Sequence, residues 1–130
     1  MKIPDPRLLD DVVNARVLEA MRRASDAMKS IGVRHIVVGG LAVGANGYPR
    51  ATGDVDFLGD AISAEPGSFA SAPVLVYLKL KSPRAKDRTD VIELIKAGID
   101  VDACRAYLAT NAPPFVAPFD DAVRVARAEE

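Results

Sequence analysis

Two acidic residues and a pair of glycines are the residues of this chain whose types and spacing best suit chemistry. Asp54 and Asp56 are two positions apart, so on an extended strand their carboxylates would project from the same face. Two carboxylates plus the phosphate oxygens of a substrate are ligands that Mg²⁺ commonly takes in proteins. Gly39 and Gly40 directly follow an apolar run, and thirteen residues lie between Gly40 and Asp54. Together these residues predict a site for nucleotide chemistry.

The glycine pair is predicted to join a strand to a helix. His35-Ile36-Val37-Val38 is rich in β-branched residues and is typical of a buried strand, while residues 41–46 suit a short helix. Glycines at this turn would expose backbone N–H groups at the positive end of the helix, with no side chain to block a phosphate. The glycine pair taken alone is more typical of an ordinary strand-to-helix turn, and Asp54-x-Asp56 alone could equally be a solvated strand end. Their combination favours the metal and phosphate interpretation.

Length and charge narrow the class of protein. A chain of 130 residues fits one domain, and 17 Lys and Arg against 18 Asp and Glu create no global basic field for nucleic acid or an anionic membrane. The single Cys104 cannot form an internal disulfide, and the single His35 excludes a histidine-rich zinc site. The longest apolar run is about half the length of a bilayer span, and the N-terminus lacks a signal pattern. We therefore expect a cytoplasmic protein that does not enter a membrane.

The remaining patterns predict a mostly helical chain. A long helix should begin at Asp5-Pro6 and end at Gly32, and a second strand should span residues 55–58. Residues 59–73 are rich in Ala, Ser, Gly and Pro, which is typical of a connection. Residues 74–81 fit either a strand or a two-turn helix. Later helices are predicted over residues 82–97 and 100–108 and around residues 119–126, the last with Asp120 and Asp121 in its first turn.

At these motifs the chain resembles the nucleotidyltransferase superfamily with the polymerase-beta-like fold, in which Gly-Gly or Gly-Ser precedes Asp-x-Asp. It is similar in particular to small bacterial nucleotidyltransferases of abortive-infection and toxin–antitoxin systems. Two segments carry this likeness: Arg50-Ala51-Thr52-Gly53-Asp54-Val55-Asp56, which fits Arg-x-Thr-x-Asp-x-Asp, and Tyr77-Leu78-Lys79-Leu80-Lys81 followed by Arg84-Ala85-Lys86-Asp87-Arg88-Thr89-Asp90-Val91. The resemblance covers roughly residues 31–58 and 74–108.

The resemblance implies one α+β domain over residues 1–130, with a small nucleotidyltransferase-type sheet, an N-terminal helix and a helical C-terminal half. Residues 1–58 would form the core, 59–73 a linker and 74–130 the helical part. In such relatives the second segment is helical, which implies a helix over residues 74–81.

The resemblance also implies a function. The protein would use Mg²⁺ or Mn²⁺ to transfer a nucleoside monophosphate from an NTP to a hydroxyl of an RNA or tRNA end, or of a protein, in a toxin-like role. Asp54 and Asp56 would be the catalytic metal ligands. Candidate cations for the phosphates are Arg50, Lys79, Lys81, Arg84 and Lys86, and the nucleotide site is predicted to comprise Gly39, Gly40, Arg50, Thr52, Lys79 and Lys86.

The chain departs from its relatives in the middle. Relatives carry a third carboxylate on a further strand, for which residues 59–73 leave too little room. Its substitute would have to be Asp60, Glu65, Asp87 or Asp90. If none serves, the protein would be a catalytically reduced nucleotide-binding or protein-interaction module.

Two further alternatives remain open. An enzyme that modifies small molecules of the aminoglycoside type would need an acidic acceptor pocket, for which Asp87, Asp90 and Glu93 are the available residues. The cations after residue 78 could instead form a solvated helix face, with Lys86 paired to Asp90 at i,i+4. A two-stranded sheet is marginal alone, so we also expect a homo-oligomer that covers a sheet edge or an apolar face.

Overall fold

Two short strands and six α-helices make up the described chain, which in this computed structural model comprises residues 3–59 and 67–130. In chain order they are α1 (Ala15–Ser30), β1 (His35–Val38), α2 (Gly39–Ala45), β2 (Asp56–Gly59), α3 (Ala72–Lys81), α4 (Ala85–Lys96), α5 (Val101–Asn111) and α6 (Val116–Ala128). Short 3₁₀ helices lie at Pro6–Leu9 and Pro113–Phe115. The predicted α+β class is confirmed, and most of the regular structure is helical. Within the described ranges, every helix is too short or too polar to cross a bilayer.

The N-terminal segment differs from the single helix that its periodicity predicts. Asp5 caps the first 3₁₀ helix by accepting the N–H of Arg7 at 3.0 Å, but the helix ends at Leu9. Asp11 has a φ of +68°, a left-handed conformation that breaks the helical path. Asn14 then caps α1, its side-chain oxygen accepting the N–H of Arg16 at 2.8 Å. The apolar spacing alone predicts one continuous helix, but Asp11 and the capping residue Asn14 divide it into a 3₁₀ helix and α1.

The sheet pairs β1 with β2 in antiparallel register, with His35 opposite Gly59 and Val38 opposite Asp56. β2 begins one residue later than predicted. On the other side of β1, the N–H of Val37 donates to Ser68 O at 2.8 Å and the N–H of Ala70 donates to Val37 O at 2.8 Å. Part of the predicted linker thus pairs with β1, while residues 60–66 lie outside the described chain.

Helix α1 packs against the sheet. Val17 and Met21 of α1 pack in one cluster with Val37 of β1 and Phe57 of β2. Behind this layer, the hydroxyl of Ser25 lies 2.6 Å from Nε2 of His35, and the histidine is 1% exposed. His35 therefore links α1 to β1 from inside the protein.

The C-terminal half is helical, and the ambiguous residues 74–81 belong to α3. Predicted helix ends are wrong by up to three residues: α4 begins at Ala85 rather than at residue 82, and α5 continues to Asn111. α6 begins at Val116, so Asp120 and Asp121 lie beyond its first turn. A buried cluster joins these helices, and within it burial raises the pKa of the Cys104 thiol to about 12, which makes the residue a packing group.

Candidate nucleotide site

The glycine pair lies between β1 and α2, and α2 already begins at Gly39 rather than at Leu41. Gly39 has a φ of +69°, a conformation that residues with a side chain rarely adopt. A Cβ at this position would also lie 2.5 Å from Oδ2 of Asp56. Glycine is therefore required here both by the backbone and by the close approach of a carboxylate.

The side chains that precede β2 extend over the same turn. A Cβ at Gly40 would lie 3.1 Å from Oγ1 of Thr52 and 3.5 Å from Nη1 of Arg50. Asp54 precedes β2, so the prediction that both carboxylates lie on the strand is wrong for Asp54. Its backbone N–H lies 3.4 Å from Oγ1 of Thr52 instead.

One open cavity of about 480 Å³ brings these residues together with the α3–α4 turn. Its volume lies within the range of about 300 to 1,000 Å³ that is common for ligand pockets. Apolar side chains of Phe57, Leu58, Leu75 and Leu78 form part of the lining. The six residues predicted for the nucleotide site and the two predicted metal ligands also line it: Gly39, Gly40, Arg50, Thr52, Asp54, Asp56, Lys79 and Lys86. Lys81, a further candidate cation for the phosphates, is exposed and is not among the lining residues.

Lys79 connects two buried aspartates at one side of this cavity. Its ammonium lies 2.9 Å from Oδ1 of Asp87 and 2.9 Å from Oδ2 of Asp90. Nη2 of Arg50 lies 3.0 Å from the same oxygen of Asp90, and Nε of Arg84 lies 2.8 Å from Oδ2 of Asp87. We call this set the charge cluster: Arg50, Lys79, Arg84, Asp87 and Asp90.

The charge cluster changes the role expected of Lys79. Its side chain is only 9% exposed and already bonds two carboxylates, so it holds α3 against α4 instead of standing free for a ligand. Asp90 points to Lys79 and Arg50, and among the described residues it forms no ion pair with Lys86. Lys86 is exposed at the cavity.

Hydrogen bonds determine the charge of Asp87. Burial raises the pKa of this carboxyl, but hydrogen bonds from Ser82, Lys79 and Arg84 outweigh burial and hold its pKa well below the usual value. The Ser82 hydroxyl donates to Oδ2 at 2.5 Å. Asp87 is therefore an ionised, fully bonded group whose oxygens are occupied by the protein itself.

Asp54 and Asp56 have the opposite environment. Both are exposed, and neither carboxylate forms an ion pair within the described part of the chain. Across residues 3–59 and 67–130, no three Asp, Glu, His or Cys side chains come close enough to share a metal ion. Of the candidate third carboxylates, Asp87 and Asp90 are held by cations, and Asp60 and Glu65 lie outside the described residues. Glu93 pairs with Lys96, so an acidic acceptor pocket at α4 is not formed by the described residues.

Ser82 and Arg84 also line the cavity. The sequence predicted Arg84 as a candidate cation for the phosphates, whereas Ser82 was not predicted. Hydrogen bonding to Asp87 is the main cause of the raised pKa of Arg84, and the charge of Asp56 adds to it. Arg84 is thus within electrostatic reach of Asp56 as well as of Asp87 and Asp90. Its position directly after Ser82-Pro83, at the start of a helix that carries two aspartates, is the sequence signal that could have distinguished it from the other candidate cations.

Comparisons of the chain with family models, with curated proteins and with solved structures found no match. The geometry of the cavity and the motifs that line it are therefore the basis for a functional assignment.

Proposed function

We propose that the cavity binds a nucleoside triphosphate with Mg²⁺ and that the protein transfers a nucleoside monophosphate to a hydroxyl acceptor. One observation carries the proposal, namely the division of charge around the cavity. Exposed carboxylates of Asp54 and Asp56 lie at the β2 side, and exposed cations of Arg84 and Lys86 lie at the α4 side. A nucleotide with its metal needs both kinds of group in one cavity.

The metal would be held by Asp54 and Asp56. Unpaired, exposed carboxylates suit Mg²⁺, which usually takes one or two of them and completes its coordination with water and substrate phosphates. Bound there, Mg²⁺ would neutralise charge on the phosphates and activate the attacking hydroxyl.

The phosphates would lie against the glycine turn and the exposed cations. Gly39 and Gly40 add no side chain of their own to the turn, and Lys86 and Arg84 supply positive charge at the cavity. Arg50 bonds Asp90 through Nη2, while its Nη1 lies over Gly40 near Thr52. Its guanidinium is therefore held in place by the charge cluster with one edge directed at the turn.

The transfer itself is a substitution at the α-phosphorus. The acceptor oxygen bonds to that phosphorus, the bond to the bridging oxygen of the β-phosphate breaks, and pyrophosphate leaves while the hydroxyl proton passes to solvent. By resemblance, the acceptor is an RNA or tRNA end or a protein side chain, and the protein is a member of the nucleotidyltransferase superfamily. The Gly-Gly and Arg-x-Thr-x-Asp-x-Asp segments at one cavity support this assignment.

The direct test is transfer of label from α-labelled NTPs in the presence of Mg²⁺ or Mn²⁺ and a pool of total tRNA. Wild-type protein should label RNA or protein, and Asp54→Asn should reduce the rate on the order of a thousandfold, since a lost metal ligand costs several kcal/mol in the transition state. Asp102→Asn is the matched control, because this side chain is 97% exposed on α5 and lies outside the cavity. Equal transfer by the wild type and Asp54→Asn would exclude the assignment.

A second candidate is a module that binds nucleotide without transferring it. It is favoured by the lack of a third carboxylate beside Asp54 and Asp56 among the described residues. Nucleotide binding with no label on any acceptor would establish this candidate. If transfer is robust, Asp60→Asn and Glu65→Gln are the variants that would test for a third carboxylate, since Asp87 and Asp90 already bond cations.

A further inference from the structure

Among the described residues, a groove between α4 and α6 shares no lining residue with the proposed nucleotide cavity. It has a volume of about 480 Å³ and a mostly apolar lining that includes Ile92 of α4 and Ala122 and Val125 of α6. Val125 is 40% exposed, although it is a large apolar side chain. The two walls of the groove carry opposite charges, Arg88 on α4 and Asp121 on α6.

We propose that this groove is the interface of a homodimer, with α6 of a second copy lying between α4 and α6. A two-fold interface must be complementary to itself, because the same surface serves both partners. The groove meets this condition in charge, since Arg88 of each copy can pair with Asp121 of the other.

The charged residues are available for such contacts. Arg88 is exposed and forms no ion pair within the described ranges. Asp121 lies 2.6 Å from Arg124, but both side chains are more than 60% exposed, and such surface pairs contribute little. Asp121 can therefore exchange this partner for Arg88 of the second copy at small cost.

The apolar residues fit the same arrangement. Pro118, Ala122 and Val125 are spaced four and three residues apart, so they lie along one face of α6. Small residues on this face leave room for Val125 of the second copy. An acidic partner helix would satisfy Arg88 but would oppose Asp121, and a nucleic acid would meet the same acid, so a second copy is the occupant that satisfies both walls.

Light scattering on the 130-residue chain over a range from low to high micromolar concentration tests the proposal. The wild type should exceed its monomer mass of 13.8 kDa as concentration rises, and Val125→Asp should weaken association by about tenfold or more. Val12→Asp is the matched control, because Val12 is 41% exposed and lies outside the groove. Circular dichroism verifies that each variant is folded.

Charge reversal then distinguishes this interface from any other. Arg88→Glu alone and Asp121→Arg alone should each be monomeric. Each variant places like charges opposite each other at both of the symmetry-related contacts between the two copies. An equimolar mixture of the two variants, and the double variant, should recover the dimer. A wild type that stays monomeric at high micromolar concentration overturns the proposal, as does a dimer insensitive to Val125→Asp, single charge variants that dimerise like the wild type, or a mixture that does not recover.

Discussion

The two sides of the proposed nucleotide cavity contain aspartates in opposite environments. Asp54 and Asp56, at the β2 side, are exposed and have no ion pair within the described chain. Asp87 and Asp90, on α4, are 1% and 2% exposed and share the ammonium of Lys79. The exposed carboxylates are therefore able to bind a ligand, whereas the buried carboxylates hold parts of the protein together.

Desolvation explains the difference. A buried carboxylate is costly unless it is paired and hydrogen-bonded, so Asp87 and Asp90 depend on Lys79, Arg50 and Arg84. An exposed carboxylate is stabilised by water and needs no protein partner. Substitutions that disturb buried Asp87 and Asp90 should therefore lower the stability of the protein. Substitutions of exposed Asp54 and Asp56 should instead weaken ligand binding and change stability little.

The largest effect is expected from removing the cation that the buried aspartates share. Lys79→Met leaves two buried carboxylates with one partner fewer, which should lower the free energy of unfolding by about 3 kcal/mol or more. Asp56→Asn, at the exposed side, should change it by only about 0.5 kcal/mol. Urea denaturation measures both. Similar losses for the two variants would contradict the division between the sides.

A smaller effect is expected at Gly39. Gly39→Ala forces a Cβ into a left-handed position, at a cost of about 1 to 2 kcal/mol, and against Oδ2 of Asp56. Gly32→Ala is the matched control, because its φ is +76° but, apart from its chain neighbours, no described residue has an atom within 4 Å of the added Cβ. Thermal unfolding should show a larger loss for Gly39→Ala, which should also weaken nucleotide binding. Equal losses would mean that contact between Asp56 and the added Cβ does not contribute to the cost of Gly39→Ala.

The pH dependence of stability should depend on Asp87. Its pKa is lowered in the folded protein, so near pH 4 the unfolded chain binds more protons and stability falls as the pH falls. The contribution is complete at neutral pH and is lost as the pH falls through the folded pKa. Melting temperatures between pH 7 and pH 3 should therefore fall less steeply for Asp87→Asn than for the wild type, with Ser82→Ala between them. Parallel curves would exclude Asp87 as the source.

The motif residues were predictable from sequence because their signals are local. Gly39, Gly40 and the alternating Arg50, Thr52, Asp54 and Asp56 are close in the chain, and period-two spacing places such side chains together. The strand over residues 35–38 follows in the same way from a β-branched apolar run.

The partners of the charges were not predictable in this way. In sequence, Lys86 and Asp90 suit an i,i+4 pair, yet Asp90 bonds Lys79 from α3 and Arg50 from the segment before β2. These partners are eleven and forty residues away, so the packing of α3 on α4 determines them. The break after Leu9 was missed for another reason, because capping by Asn14 and the left-handed Asp11 outweigh the apolar periodicity.

The central claim is that Asp54 and Asp56 bind a metal that arrives with a nucleotide, and thermal unfolding with NTP and Mg²⁺ tests it most directly. At ten times its Kd, the ligand should stabilise the wild type by about 1.4 kcal/mol, or a rise in Tm of about 5 °C. EDTA, Asp54→Asn and Asp56→Asn should each remove most of the metal-dependent rise in Tm. A rise in Tm that survives EDTA and both substitutions would contradict the account.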